Sequence, residues 1–428
     1  MSPDHYTLSC LQCNRSYQDT ASGFLLSCDE NHAPALLRAR YAAKQLAVHA
    51  DHPGIFRYSD WLPVRRIPAE ATGPVVYQSA GLGHYLKLEN LFVAFNGYWP
   101  EKGAFEETCS FKELEAQAVC ARIPDTEKRT LVVSSAGNTG MAFLQTCSKN
   151  EVPVFVVVPE KILPELWMTV EKNPCVTLAV VSGDVDYSDV IDVGQEIAVR
   201  EGFFSEGGAR NVARRDGMGS VVLAAVEHLG EIPAHYFQAV GSGTGGIAAW
   251  EMGLRLREDG RFGRTRMRLH FVQNSPFTIM TDSWREASRE LIPFDEREGR
   301  NHIDMLHAKV LSNRRPPYSV VGGVFDALSD TRGGMYSATR EEALRAGQLF
   351  EKLEGIDIHP AAEVALAGLI QAVQTGKIRK RDIVLLNVTG GGSRRLAREG
   401  KKHALKPDVV IRRGDNIGDA LKPTLINI

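Results

Sequence analysis

The sequence has no apolar run long enough to cross a membrane; its longest stretches, such as Val152–Val158 with Pro153 inside, fall far below the ~18 residues of a span. It also lacks any long block of like charges. Fifty Lys+Arg stand against 52 Asp+Glu for a net charge of -2, so the basic stripe that nucleic-acid binding needs is missing. Met1–Cys13 is polar, with no apolar core behind a basic start, which speaks against a signal peptide. Cysteine is scarce: seven, an odd number, scattered over 428 residues. That usage is expected of reduced thiols in the cytoplasm rather than of a disulfide framework. No internal repeat and no low-complexity tract is present. What remains, 43% hydrophobic and 24% charged residues, is the composition of a globular chain with a large core, not of a disordered, collagenous or coiled-coil one.

The first 34 residues stand apart. Cys10, Cys13, Cys28 and His32 are spaced C-x2-C-x14-C-x3-H, which resembles a small zinc ribbon, because tetrahedral zinc takes thiolate and imidazole ligands from two tight knuckles. The second knuckle lacks its cysteine, however, and Cys28 also suits a packed thiol. The segment is therefore read as a metal-free remnant of a ribbon. Residues 36–49 (LLRARYAAKQLAVH) predict a helix, and Val75–Tyr98 predicts strands with Leu86/Leu88 and Leu91/Val93/Phe95 alternating.

From residue 111 onward, strands and helices alternate. FKELEAQAVCARI predicts a helix, TLVVSS a strand, TGMAFLQTCSKN a helix and PVFVVV a strand. Helices near 162–172, 187–200 and 219–229, and strands VTLAVV, HYFQAV and MRLHFVQ, continue the pattern. Residues 281–340 read as an irregular insertion over a cleft, and helices near 341–353 and 361–374 precede the strand DIVLLNV. Short apolar strands between helices imply parallel sheets covered on both faces. Two α/β lobes follow: a large one from 35–118 and 211–428, and a small mobile one from 119–210.

In such sheets ligands sit at the carboxyl ends of the strands, where loops open into helices. Three glycine loops occupy such places: Ser134–Gly140, Gly241–Gly246 and Thr389–Gly392. Gly241-Ser242-Gly243-Thr244-Gly245-Gly246 follows a strand and opens a helix, so its amides can converge on a phosphate, with hydroxyls from Ser242 and Thr244. The string also satisfies G-x-G-x-x-G, but the acidic residue of a dinucleotide site is not at the end of the next strand, Gln273-Asn274. A monophosphate is preferred over NAD. Lys112, in Ser110-Phe111-Lys112, starts a helix among apolar Phe111 and Leu114. Most lysines are solvated surface charges, yet this is also a setting that suits an imine-forming amine.

Taken in order and spacing, Ser110-Phe111-Lys112, Ser134–Gly140 and Gly241–Gly246 resemble the fold-type II (tryptophan synthase beta-like) pyridoxal-phosphate enzymes. The likeness is to the threonine synthase branch, over about residues 75–395, and within it to the cysteate-forming enzymes of coenzyme M synthesis. Two departures stand out: Glu113-Leu114 follows the lysine where threonine synthases usually have Asp-Arg, and the asparagine loop SSAGNTG carries an extra alanine. The resemblance implies that Lys112 carries pyridoxal 5'-phosphate as a Schiff base and then moves the Cα proton. It implies that Asn138 bonds the cofactor's phenolic oxygen, a position that equally suits a helix cap. Gly241, Ser242, Gly243, Thr244, Gly245 and Gly246 would grip the phosphate, and Thr389 would face the pyridine nitrogen. Ser134, Ser135, Gly137 and Thr139 would hold the substrate carboxylate. The implied reaction replaces the phosphate of O-phospho-L-serine by sulfite; threonine synthase and phosphoserine-dependent cysteine synthase are the alternatives on the same scaffold. Arg210, Arg214, Arg215, Arg332, Arg394 and Arg395 are candidates for handling the anions. His235 and His359 are read as structural. A homo-oligomer is expected, acting on small molecules and on neither nucleic acid nor membrane.

Overall fold

The apolar strand Ile383–Val388 lies within a six-stranded sheet of the computed structural model, which describes residues 5–19 and 23–425. The strand order is Gly334–Ala338, Arg268–Asn274, His235–Ala239, Ile383–Val388, Asn90–Phe95, Val75–Gln78. All neighbours run parallel except the last pair. A second sheet of five parallel strands is ordered Phe203–Ser205, Thr130–Ser134, Val154–Pro159, Val176–Ser182, Val409–Arg412. Every residue of Val154–Pro159 is buried, as a strand covered by helices on both faces requires. The two-lobed α/β arrangement of parallel sheets is thus present.

The helix Lys112–Arg122 packs on Val212–Leu229, which in turn packs on Thr244–Asp259. The first crossing is close because Gly217 has no side chain: a Cβ there would meet the Leu114 carbonyl oxygen at 2.4 Å and the Ala118 methyl at 2.7 Å. Such an approach lets helix backbones nearly touch. Buried ion pairs tie the N-terminal unit to this layer. Arg122, fully buried, donates to both carboxylate oxygens of Asp19 at 2.9 Å and to Asn211 Oδ1 at 2.8 Å. Glu251 accepts from Arg38 at 3.1 Å and from Arg215 at 3.0 Å.

Several expectations are corrected. Residues 36–49 are not helical: Leu37–Tyr41 is a strand, paired antiparallel with Tyr6–Cys10 in a three-stranded sheet completed by Ser16–Tyr17. Helix propensity is a weak prior, and a partner strand from residues 6–10 overrides it. The stretch 162–172 holds a 3-10 turn, Glu160–Glu165 with Pro164 inside, and the short strand Trp167–Met168. Leu86 ends a helix, Ala80–Leu86, rather than lying on a strand. The helix placed at 219–229 starts at Val212, with Asn211 as its cap: Asn211 Oδ1 accepts from the amide of Ala213 at 3.0 Å. Residues 281–340 are no mere loop. They hold Glu296–Asp304, Val324–Thr331 and the edge strand Gly334–Ala338. Finally, Val409–Arg412 joins the five-stranded sheet as its end strand beside Val176–Ser182, whereas its place within 211–428 predicts the large lobe. Its register beside Ala179–Ser182 buries Val409 and Ile411 in the core of that sheet and leaves Val410 and Arg412 exposed, the alternation of a half-buried end strand.

Candidate active site

Lys112 is the first residue of its helix. Just upstream, the Phe111 amide donates to the Thr389 carbonyl at 3.1 Å, and Ser110 forms an antiparallel bridge with Gly390. The lysine segment is thereby clipped to the loop that ends Ile383–Val388. Two other strand ends converge on the same cleft. Thr130–Ser134 leads into Ser135–Thr139, and His235–Ala239 leads into Gly241–Gly245; these residues, Lys112 and Thr389 all line it. A roomier hollow of about 740 Å³ lies elsewhere, around His52, Arg57, Tyr58 and His228, and no lysine lines it.

Inside the cleft the charges are paired. Lys112 Nζ donates to Glu115 Oε2 at 3.0 Å, one turn along the helix. Thr139 Oγ1 donates to the other oxygen of Glu115 at 2.7 Å, and Arg214 Nη1 lies 3.6 Å from it. Burial works against the charge on Glu115, but Arg214, Lys112 and the Thr139 hydroxyl outweigh it and hold the carboxyl below its ordinary range. Arg214 is itself clamped by Glu206, at 2.8 and 2.6 Å. Ser135 Oγ accepts from the amides of Gly137 at 3.0 Å and Gly140 at 2.7 Å, so its hydroxyl shapes the loop. Asn138 opens its helix, and its amide lies 3.5 Å from Nε2 of His359. His359 Nδ1 accepts from the Ala361 amide at 3.2 Å, capping the next helix. Burial first, and His307 second, push that imidazole down to about 4, which leaves a neutral ring.

The loop Gly241–Gly245 opens the helix Thr244–Asp259 through Gly243, at φ 81°. Amides of a helix's first turn have no partner within the helix, so they are available to an anion. Ser242 Oγ and Thr244 Oγ1 lie 2.9 Å apart beside them.

Eleven of the thirteen residues selected from the sequence line this cleft: Lys112, Ser135, Gly137, Asn138, Thr139, Gly241, Ser242, Gly243, Thr244, Gly245 and Thr389. Two do not. Ser134 lines a neighbouring cavity and donates to the Val190 carbonyl at 3.1 Å. Gly246 is packed against the Phe271 ring, 2.3 Å from where its Cβ would be. Of the arginines, only Arg214 lines the cleft, while Arg210 lines the adjoining cavity. Arg215 is bound to Glu251 and to the Ala209 and Leu37 carbonyls. Arg394 and Arg395 form exposed pairs with Glu351 and Glu101, and Arg332 ends the helix Val324–Thr331. Sequence reasoning missed Glu115, Tyr187, Gln238 and Asn313. Only Glu115 left a signal, since residues i and i+3 share a helix face.

A cysteate synthase of Methanosarcina barkeri is 45% identical over 98% of this chain and 99% of its own length. One of Methanosarcina acetivorans is 45% identical over 96% and 97%. Further cysteate synthases match at 44–47% over at least 92% of this chain. Among solved structures, maize serine racemase superposes with a TM-score of 0.55 at 14% identity, covering 76% of this chain and 92% of the racemase; at that identity the likeness concerns the fold. The family model described as pyridoxal-phosphate dependent enzyme matches residues 85–390, from the helix before the central strands to the loop after Thr389. By that match and by these relatives, the chain belongs to the pyridoxal-phosphate-dependent enzymes.

Proposed function

We propose that this enzyme replaces the phosphate of O-phospho-L-serine by sulfite and releases L-cysteate. The observation that carries the reading is the Lys112 amine opening into one cleft with three glycine loops, in a chain 45% identical to a cysteate synthase over 98% of its length.

The cleft fits pyridoxal phosphate. It offers an amine for covalent attachment, a glycine loop at a helix start for the phosphate, the Asn138 amide, and the Thr389 hydroxyl at a strand end. When bound, the cofactor supplies the electron sink that lets a Cα proton and then a β-phosphate depart.

This chain's own residues do the rest. Lys112 takes the Cα proton of the substrate and later returns it, a role open to an amine on a short tether inside the cleft. Gly241–Gly245, with Ser242 and Thr244, would hold the cofactor phosphate through helix-start amides. Gly137 and Thr139, at the start of the Asn138–Asn150 helix, receive the substrate carboxylate. Thr389 would face the cofactor's ring nitrogen with a neutral hydroxyl, a partner that would not hold a proton there as a carboxylate would. Such a partner would favour loss of a β-leaving group over transamination. Sulfite is nucleophilic without activation, so no further base is needed. Arg214, held by Glu206 and close to Glu115, brings a guanidinium to the wall of the cleft that two successive anions would enter. The same reading makes the enzyme a cytoplasmic homo-oligomer acting on small molecules.

The test is turnover with O-phosphoserine and sulfite, following phosphate release and cysteate. Cysteate with stoichiometric phosphate supports the reading. Threonine from O-phosphohomoserine without cysteate, or cysteine from sulfide without cysteate, overturns it.

A further inference from the structure

We propose that Cys10, Cys13, Cys28 and His32 form a structural site for a thiolate-preferring divalent metal, zinc, that holds the N-terminal segment against the wall of the active-site cleft. The four side chains come from two places in the sequence: Cys10 ends the strand Tyr6–Cys10 and Cys13 lies on the turn after it, while Cys28 and His32 lie on the stretch leading to Leu37–Tyr41. One donor atom from each lies within 4.8 Å of all the others.

The separations have the right size. Cys10 Sγ to His32 Nε2 is 3.4 Å, Cys28 Sγ to His32 Nε2 is 3.2 Å, and Cys13 Sγ to Cys28 Sγ is 3.6 Å. Four ligands on a tetrahedron, with zinc–sulfur and zinc–nitrogen bonds of about 2.3 and 2.0 Å, are separated by roughly 3.4–3.8 Å. His32 is also oriented for the task. Its Nδ1 sits 2.7 Å from the Ala33 carbonyl; donating there leaves Nε2 with a lone pair aimed at the thiols, as an outer partner does for a metal-bound imidazole. The Glu30 amide reaches Cys28 Sγ at 3.5 Å, a donor suited to a thiolate. The first knuckle is closed by backbone: Asn14, at φ 62°, donates to the Cys10 carbonyl at 3.0 Å, and the Cys10 amide donates to Arg15 at 2.9 Å. With four protein ligands the site is closed, so its role is structural rather than catalytic. The metal-free reading of the sequence rested on a missing fourth cysteine; His32 comes into that place.

The segment needs such a fastening. Between residues 23 and 34 no residue is in a helix or strand, and Gly23 is its sole fully buried residue. It nonetheless touches functional ground. The Phe24 ring packs edge-on to Phe204 at 5.4 Å, Leu26 lies against Gly207, and Ser27 Oγ is 3.5 Å from Arg210. Gly207 and Arg210 line the cavity adjoining the cleft, together with Arg214 and Ser242. A metal clamp would supply the order that a small hydrophobic core cannot.

The experiment uses the full-length enzyme with its cofactor, purified under reducing conditions without chelator. Elemental analysis should find one zinc per chain, and replacement by Co²⁺ should give tetrahedral thiolate bands in the red, away from cofactor absorbance. Cys13→Ser and His32→Ala should weaken metal retention by more than the ~10–100-fold lost with an outer partner, whereas Cys175→Ser should leave it unchanged. Absence of bound zinc together with no cobalt spectrum on the wild-type protein overturns the site. So does a Cys13–Cys28 disulfide found by mass spectrometry in the reduced preparation. Because both wild-type readings are independent of turnover, they stand even if a variant fails to fold or the assigned reaction proves to be another.

Discussion

The Lys112 amine and the Glu115 carboxylate form an ion pair of 3.0 Å on successive turns of one helix, with Glu115 wholly buried. Glu115 thus links three cleft groups, Lys112, Thr139 and Arg214. Changing Glu115 to Gln keeps the shape and one acceptor but removes the charge that three donors share. We expect a loss of about 1–3 kcal/mol in urea unfolding and a lower kcat. Unchanged stability and turnover would show that the carboxylate is a bystander.

Replacing Lys112 by Ala should give a colourless protein with activity reduced by about 100- to 10,000-fold. In the wild type, borohydride reduction followed by peptide mapping should leave the pyridoxyl group on Lys112. A yellow, active Lys112→Ala enzyme would refute the assignment.

Gly243 holds φ 81°, and a Cβ there would lie 2.3 Å from Val324 Cγ2. Gly243→Ala therefore strains the Gly241–Gly245 loop by about 1–2 kcal/mol. Absorbance titration with pyridoxal phosphate should show roughly tenfold weaker binding, with the far-UV circular dichroism unaltered.

Two buried glutamates should respond to pH with opposite sign. Burial opposes the charge on Glu251, but Arg215, Arg38 and Arg255 outweigh it and draw the carboxyl from 4.5 to about 2. Its stabilisation is present above pH 4.5 and lost as pH falls toward about 2. Glu251→Gln should be less stable than wild type by about 3 kcal/mol at neutral pH, with the gap closing in acid. Glu113 behaves in reverse: burial, despite the pull of Thr108, raises it from 4.5 to about 7. The native state then loses stability as pH rises from 4.5 to about 7. Glu113→Gln should raise Tm at pH 8 and leave it nearly unchanged at pH 4, as calorimetry across that range would reveal.

The alternation of short apolar strands with helices, the glycine loops after TLVVS, HYFQA and IVLLNV, and the lysine at a helix start were legible in the amino-acid order. Each depends on neighbours a few residues away: β-branched runs, glycine after a strand, a positive helix end. The fold class and most of the cleft follow from those local signals. Three-dimensional packing alone decided the rest. Leu37–Tyr41 became a strand because residues 6–10 offered it a partner, and Val409–Arg412 pairs with Val176–Ser182 because Val409 and Ile411 find their buried neighbours there. Arg215 was held away from the cleft by Glu251, 36 residues on, while Glu206 and Glu115 fixed Arg214 at its wall. Pairing between distant segments is set by which buried surfaces and charges find complements, and no local pattern in the chain encodes that.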